Sequence, residues 1–315
     1  MSTVKFGSPN LKFRCHALFA CLAPLAVTAC GAGYEAVGST DGRPKVMTTF
    51  TVLADIARNI GGDAIVVESI TKPGVEIHGY EPTPSDVRRV ADADMILENG
   101  LGLELWFEDF MARVDAPSVV VTDGIDTIPI ASGDYEGDAN PHAWMSPLNT
   151  AVYAENIADA FAELDPDNAG LFHANAAAYA DELRDVHDEL VTGVAELSEN
   201  QRALVSCEGA FAYLARDAGL IEVYLWPVNS DEQGTPRQVT GAIGYVRDHD
   251  VPAVFCESTV DDTLQRHVAR DADAEFGGVL YVDSLSTDDG PVPTYLDLIR
   301  TDVRTIIAGL TEDGS

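Results

Sequence analysis

The stretch NAGLFHANAAAYADELRDVHDELVTGVAELS, residues 168–198, decides how the rest of the chain is read. Phe172, Ala176, Tyr179, Leu183, Val186, Leu190, Val194 and Leu197 follow one another at spacings of 4, 3, 4, 3, 4, 4 and 3. That spacing puts them on one stripe of a helix and leaves Asp, Glu and Arg on the other faces. A helix over about 168–198 is roughly 45 Å long, more than an ordinary globular helix needs. Asp167 or Asn168 is the expected cap at its start.

Working outward, four short β-branched runs precede this helix and four follow it. They are Val46–Val52, Ile65–Ile70, Met95–Leu97 and Val119–Thr122, then Leu204–Ser206, Val223–Leu225, Val254–Phe255 and Val279–Val282. Most are continuously apolar rather than alternating, which suits parallel strands buried on both faces. Helical patterns lie between them. Leu53–Ile60 stops at Gly61-Gly62, Pro84–Ala93 opens after Thr83 as cap, and Leu101–Val114 is amphipathic and aromatic. The predicted fold is therefore α/β, with two lobes of mostly parallel four-stranded sheet flanked by helices. The lobes are expected at 45–166 and 201–311, joined by one rigid helix at 167–200. The alternative is a long helix inside a single domain.

Residues 1–44 stand apart. Lys5, Lys12 and Arg14 precede the short apolar run Ala17–Val27, and Val27-Thr28-Ala29 leads into Cys30. Such a segment reads as a removed export signal, residues 1–29, with Cys30 as the acylated first residue of a lipoprotein. An ordinary cleavage site beside an incidental cysteine is the alternative. Residues 30–44 read as a flexible tether.

The chain has 315 residues, 46% of them hydrophobic, so it can build a sizeable core. Without residues 1–29 it carries 16 basic and 52 acidic residues, a net charge of −36. Nucleic acid is a poor partner for such a chain. The acid is spread along the sequence and reads as a solvated surface. No stretch reaches 18 uninterrupted apolar residues, so no membrane-spanning helix is expected. No phosphate-binding Walker loop, G-x-S-x-G elbow, H-E-x-x-H or paired C-x-x-C occurs.

Four residues stand at the carboxyl ends of predicted strands or in the loops beyond, where open α/β sheets bind ligands. His78 lies in a Gly- and Pro-rich loop after the second strand, and His142 in the loop Asp138–Pro147. Glu208 falls where Leu204–Ser206 meets a helix expected near Gly209, and Asp283 closes Val279–Val282. Each alone is more often a surface residue. Together they are a mixed nitrogen and oxygen set without thiolate, suited to a divalent transition metal in a cleft between the lobes. The ring nitrogen of each histidine turned away from the metal then needs an acceptor. His173, His187, His249 and His267 read as surface residues.

In these motifs the chain resembles the metal-binding lipoproteins of ABC importers that capture manganese, zinc or iron. The resemblance runs from about Val46 to Leu310. It is carried by GVEIHGYEPTP around His78, ADMILENGLGLE at 93–104, NPHAWMSP around His142, SCEGAFAYL around Glu208 and GGVLYVDSLS around Asp283. It implies two α/β lobes joined by a long helix, and His78, His142, Glu208 and Asp283 as metal ligands. It also implies delivery of the metal to a permease with its ATPase, a lipid anchor on Cys30 and a monomer, with no enzymatic activity. Zinc relatives typically have a third histidine where Glu208 stands and a His-rich loop before the second histidine. Residues 131–138 contain no histidine. Manganese is thus expected first, iron next and zinc third, and 290–297 also resembles the manganese and iron branch. Gly79 replaces a larger polar residue of many relatives, a change expected to alter shielding and not to abolish binding. Cys207 precedes Glu208 and Cys256 precedes Glu257 at two predicted strand ends. In an oxidising compartment a Cys207–Cys256 disulfide bracing Glu208 is expected, with two buried thiols as the alternative. A metal-dependent hydrolase using Glu257 or Glu81 as base, and an adhesin with a structural metal, are the rival functions.

Overall fold

The computed structural model describes residues 42–112, 114–228 and 234–311. The expected export signal at 1–29, the expected lipidation site Cys30 and most of the expected tether lie outside these residues. Among the described residues no helix is long and apolar enough to cross a membrane.

The strands are β1 Lys45–Thr48, β2 Val66–Ser69, β3 Met95–Glu98, β4 Ser118–Val120, β5 Ala203–Glu208, β6 Ile221–Trp226, β7 Ala253–Glu257 and β8 Glu275–Leu280. The helices are α1 Thr51–Gly61, α2 Pro84–Val90, α3 Phe107–Met111, α4 Pro147–Leu164, α5 Ala169–Ala195, α6 Ala212–Ala218, α7 Pro236–Asp248, α8 Thr263–Ala272 and α9 Tyr295–Thr311. The first four strands form one parallel sheet in the order β2-β1-β3-β4. The fold is α/β, with parallel sheets flanked by helices and one long helix.

The second half departs from a single four-stranded sheet. β5–β6 and β7–β8 are separate two-stranded parallel ladders. β5 and β7 lie side by side, and a disulfide joins Cys207 to Cys256 with their Cα atoms 4.9 Å apart, about the spacing of neighbouring strands. At the carboxyl end of the seam a side chain takes the place of a ladder bond. The Glu208 amide N–H donates to both carboxylate oxygens of Glu257, at 3.3 Å each.

Helix α5 is 27 residues long, about 40 Å at the usual rise. Seven members of its predicted stripe, Phe172 to Val194, are buried in it, and Leu197 is buried just beyond. Those side chains pack with α1 and α4 from the first half and α9 from the second, in one continuous core. Gly193 leaves room for α9, because a Cβ there would collide with the side chain of Ile307. Asn168 does not cap α5 with its side chain; its amide donates to Asp165 Oδ2 at 2.7 Å, within the short 3₁₀ turn Pro166–Asn168. Thr83 caps α2 through a capping box with Asp86.

Three further boundaries differ from expectation for local reasons. The run Val46–Val52 is divided, since β1 ends at Thr48 and α1 begins at Thr51. Only Phe107–Met111 of Leu101–Val114 is α-helical. Gly100, Leu101 and Gly102 all have positive φ, and the buried Glu104 carboxylate accepts from the amides of Asn99 and Gly100. This tight turn replaces the first helical turns. β8 starts at Glu275 and runs through Gly277, where a Cβ would stand 2.5 Å from the Phe255 ring. Glycines weak in strand propensity are thus required there, and Asp283 comes three residues after the strand rather than closing it.

Candidate metal centre

His78 is placed by its own loop. Glu76 accepts the backbone N–H of His78 at 2.6 Å and that of Gly79 at 3.0 Å, and the Trp106 indole N–H donates to the Ile77 carbonyl at 3.2 Å. These bonds curl the segment and turn the imidazole inward. Its side chain is 12% exposed, the most of the four candidates.

His142 is fully buried. Asn140 Oδ1 faces both its backbone N–H, at 3.0 Å, and its Nδ1, at 3.1 Å. A carbonyl-type oxygen can only accept, so Nδ1 carries the proton and Nε2 presents its lone pair. Asn140 is fixed in turn by donating to the Gly209 carbonyl at 2.7 Å, and its own carbonyl accepts from Tyr213 at 2.7 Å. Burial, with the nearby His78, pushes the His142 imidazole well below its usual range, which keeps it neutral and ready to ligate.

Glu208 is the last residue of β5 and is buried. Helix α6 begins at Ala212 rather than near Gly209, so a helix terminus does not account for this carboxylate. Asp283 is buried in the loop after β8, and Thr259 donates to its Oδ2 at 3.1 Å. Its Oδ1 is buried without a hydrogen-bond partner.

Ligand atoms of His78, His142 and Asp283 lie within 4.8 Å of one another, and Glu208 joins them through its approach to His78. The two Nε2 atoms are 3.1 Å apart. His78 Nε2 lies 4.0 Å from Glu208 Oε1 and 4.0 Å from Asp283 Oδ1, and His142 Nε2 lies 3.8 Å from Asp283 Oδ1. Two nitrogens each about 2.1 Å from one ion, at right angles about it, would stand about 3.0 Å apart. The orphan Asp283 oxygen facing two imidazole nitrogens is the arrangement that a shared cation satisfies. Burial raises the Glu208 and Asp283 carboxyls, which His78 opposes. Two carboxylates so enclosed neutralise a divalent ion in a medium of low dielectric.

Beside the site lies Glu257, buried at the end of β7 and pushed up to about 8 by burial. Rather than standing free as a general base, its carboxylate holds the Glu208 backbone. Cys207, Cys256 and Glu257 also cluster, but the two sulfurs are bonded to each other. Asn140 is the acceptor required by His142. Its place two residues before a histidine is the available signal, and its placement is set by contacts to Gly209 and Tyr213 that no local pattern reports.

The sequence profile of the family described as zinc-uptake complex component A, periplasmic (ZnuA), matches residues 46–309. The iron-binding protein YfeA of Yersinia pestis is 52% identical over 266 residues, which cover 84% of this chain and 86% of YfeA. The manganese-binding lipoprotein MntA of Halalkalibacterium halodurans is 36% identical over 91% of this chain and 96% of its own length. The manganese-bound periplasmic metal binding protein from Candidatus Liberibacter asiaticus superposes with a TM-score of 0.79 at 38% identity, covering 85% of this chain and all of that one.

Proposed function

From the premise that the chain belongs to the family of periplasmic zinc-uptake component A, we propose that it captures manganese(II) outside the cytoplasm and passes it to the permease of an ABC importer. It is a binding protein and not an enzyme; the ion is its cargo and a separate ATPase supplies the energy. The ligands in this reading are His78, His142, Glu208 and Asp283, with Cys30 carrying a lipid that keeps the mature chain at the membrane. Residues 45–166 and 201–311 act as the two lobes, with 167–200 as the strut between them.

The observation that carries the reading is the convergence of two Nε2 atoms, 3.1 Å apart, on the buried Asp283 carboxylate, with the buried Glu208 carboxylate 4.0 Å from His78 Nε2. Two anionic oxygen donors and no thiolate suit manganese(II) better than the softer sites that zinc favours. Iron(II) is the second reading, favoured by the 52% identity to a protein named for iron binding. Zinc ranks third. Divalent affinity rises from manganese through iron to zinc at any given nitrogen and oxygen site, so the cargo follows from availability and permease pairing as well as from the ligands.

The test is competition among the three ions on protein purified without added metal, with elemental analysis of the starting material. One equivalent of manganese or iron, displaced by chelator and restored stoichiometrically, is the expected result. Less than one tenth of an equivalent of any divalent ion, before or after reloading, overturns the reading.

A further inference from the structure

A cavity of about 480 Å³ opens beside the segment that carries His78. Tyr80, Pro82, Pro84, Val87, Trp106 and Phe110 line it. Tyr80 and Trp106 meet edge to face with ring centroids 5.3 Å apart, and Trp106 makes similar contacts with Phe107 and Phe110. The neighbouring Leu105 is 53% exposed, which extends the apolar surface. Thr83 and two exposed carboxylates, Glu81 and Asp109, complete the lining, and among the described residues no basic side chain lines it.

An aromatic floor under an acidic rim selects a definite occupant. Aromatic faces attract cations, and the rim adds a complementary charge. An Arg or Lys beside an apolar side chain satisfies both parts, whereas an anionic or wholly apolar segment leaves the rim unmatched. The cavity is also wired to the metal centre. The Trp106 indole N–H holds the Ile77 carbonyl, one residue before His78, while the Tyr80 hydroxyl, two residues after it, donates to Asp86 Oδ2 at 2.9 Å. Tyr80 and Trp106 thus each anchor one flank of the segment that carries His78.

We infer that this cavity is a docking pocket for an extracytoplasmic loop of the partner permease, one presenting an Arg or Lys beside an apolar side chain, and that filling it loosens His78 from the metal. The inference rests on the transport reading, for which it supplies a contact surface and a trigger for release.

The experiment uses the full lipidated chain with its permease and ATPase in proteoliposomes, and manganese as the probe. The double variant Glu81→Lys with Asp109→Lys is compared with the parent and with Asp181→Lys, Asp262→Lys, which reverses two acidic side chains elsewhere. The pocket variant binds manganese within twofold of the parent, and its unchanged binding shows that it is folded. Its uptake falls at least tenfold while the control variant keeps the parental rate. Uptake by the pocket variant at the parental rate overturns the docking site, as does an equal loss in the control. A parent that binds no metal or supports no uptake brings down the transport reading, and this inference with it. Trp106→Phe, which keeps a ring and deletes the N–H, tests the link. Manganese then leaves the isolated protein severalfold faster, and an unchanged dissociation rate removes the connection between pocket and His78.

Discussion

His78, His142, Glu208 and Asp283 make unequal contributions that substitution can separate. His78→Ala and Asp283→Ala should each weaken manganese binding by at least about 100-fold, beyond the roughly 10–100-fold cost of losing a supporting partner. Asn140→Ala falls in that supporting range, since it frees the His142 ring without removing a ligand; isothermal titration of the three variants orders them. Protonation gives a second handle. Burial raises the carboxyl of Glu257 to about 8, and raises those of Glu208 and Asp283. A carboxyl whose folded value lies above its unfolded one stabilises the fold below the unfolded value, and that stability is lost as pH rises through the folded value. His142, depressed by burial, acts oppositely, but its contribution is complete once pH exceeds its ordinary 6.5. Between about pH 6.5 and 8 the metal-free protein should therefore melt at falling temperatures. Manganese should raise the melting temperature by an increasing margin over the same window, and acid should weaken binding as protons compete for the ligands. Melting curves with chelator and with manganese, at three pH values, check both trends. The four ligand candidates were legible because each stood at a strand end or in a loop beyond. Asn140, Thr259 and the hold of Glu257 on Glu208 were not, because they depend on rotamers and on which strands become neighbours.

At the scale of elements, the join between β5 and β7 carries the most specific expectation. The disulfide closes a loop with a sequence separation of 49, worth about 4 kcal/mol in the chain-entropy model. Replacing Cys207 and Cys256 together by serine should lower the free energy of urea unfolding by about that amount. Truncating Leu183, fully buried on the α5 stripe, to alanine should cost about 2–5 kcal/mol by the same measurement. The α5 stripe was readable because seven residues kept helical spacing over its 27 positions. The limits of α3 and β8 were not, since a buried Glu104 reorganised one segment and the Phe255 ring demanded glycine in the other. Periodicity reports a uniform face; it does not report a carboxylate folding back on two amides.

For the whole molecule, the shared core is the controlling feature. Side chains from both halves meet on α5, and cross-chain bonds such as Leu285 N–H to Thr51 Oγ1, at 2.9 Å, tie the segment after Asp283 to α1. Such packing resists wide hinge motion and allows small rearrangements of the ligand-bearing segments. Solution scattering should accordingly show the radius of gyration changing by less than about 1 Å when manganese is added. The central claim, that four side chains from distant parts of the chain share one ion, is tested most directly by anomalous diffraction at the manganese edge on crystals of the loaded protein. A single strong peak within about 2.5 Å of His78 Nε2, His142 Nε2 and carboxylate oxygens of Glu208 and Asp283 is the predicted result. A peak elsewhere, or one touching only two of these side chains, would contradict it.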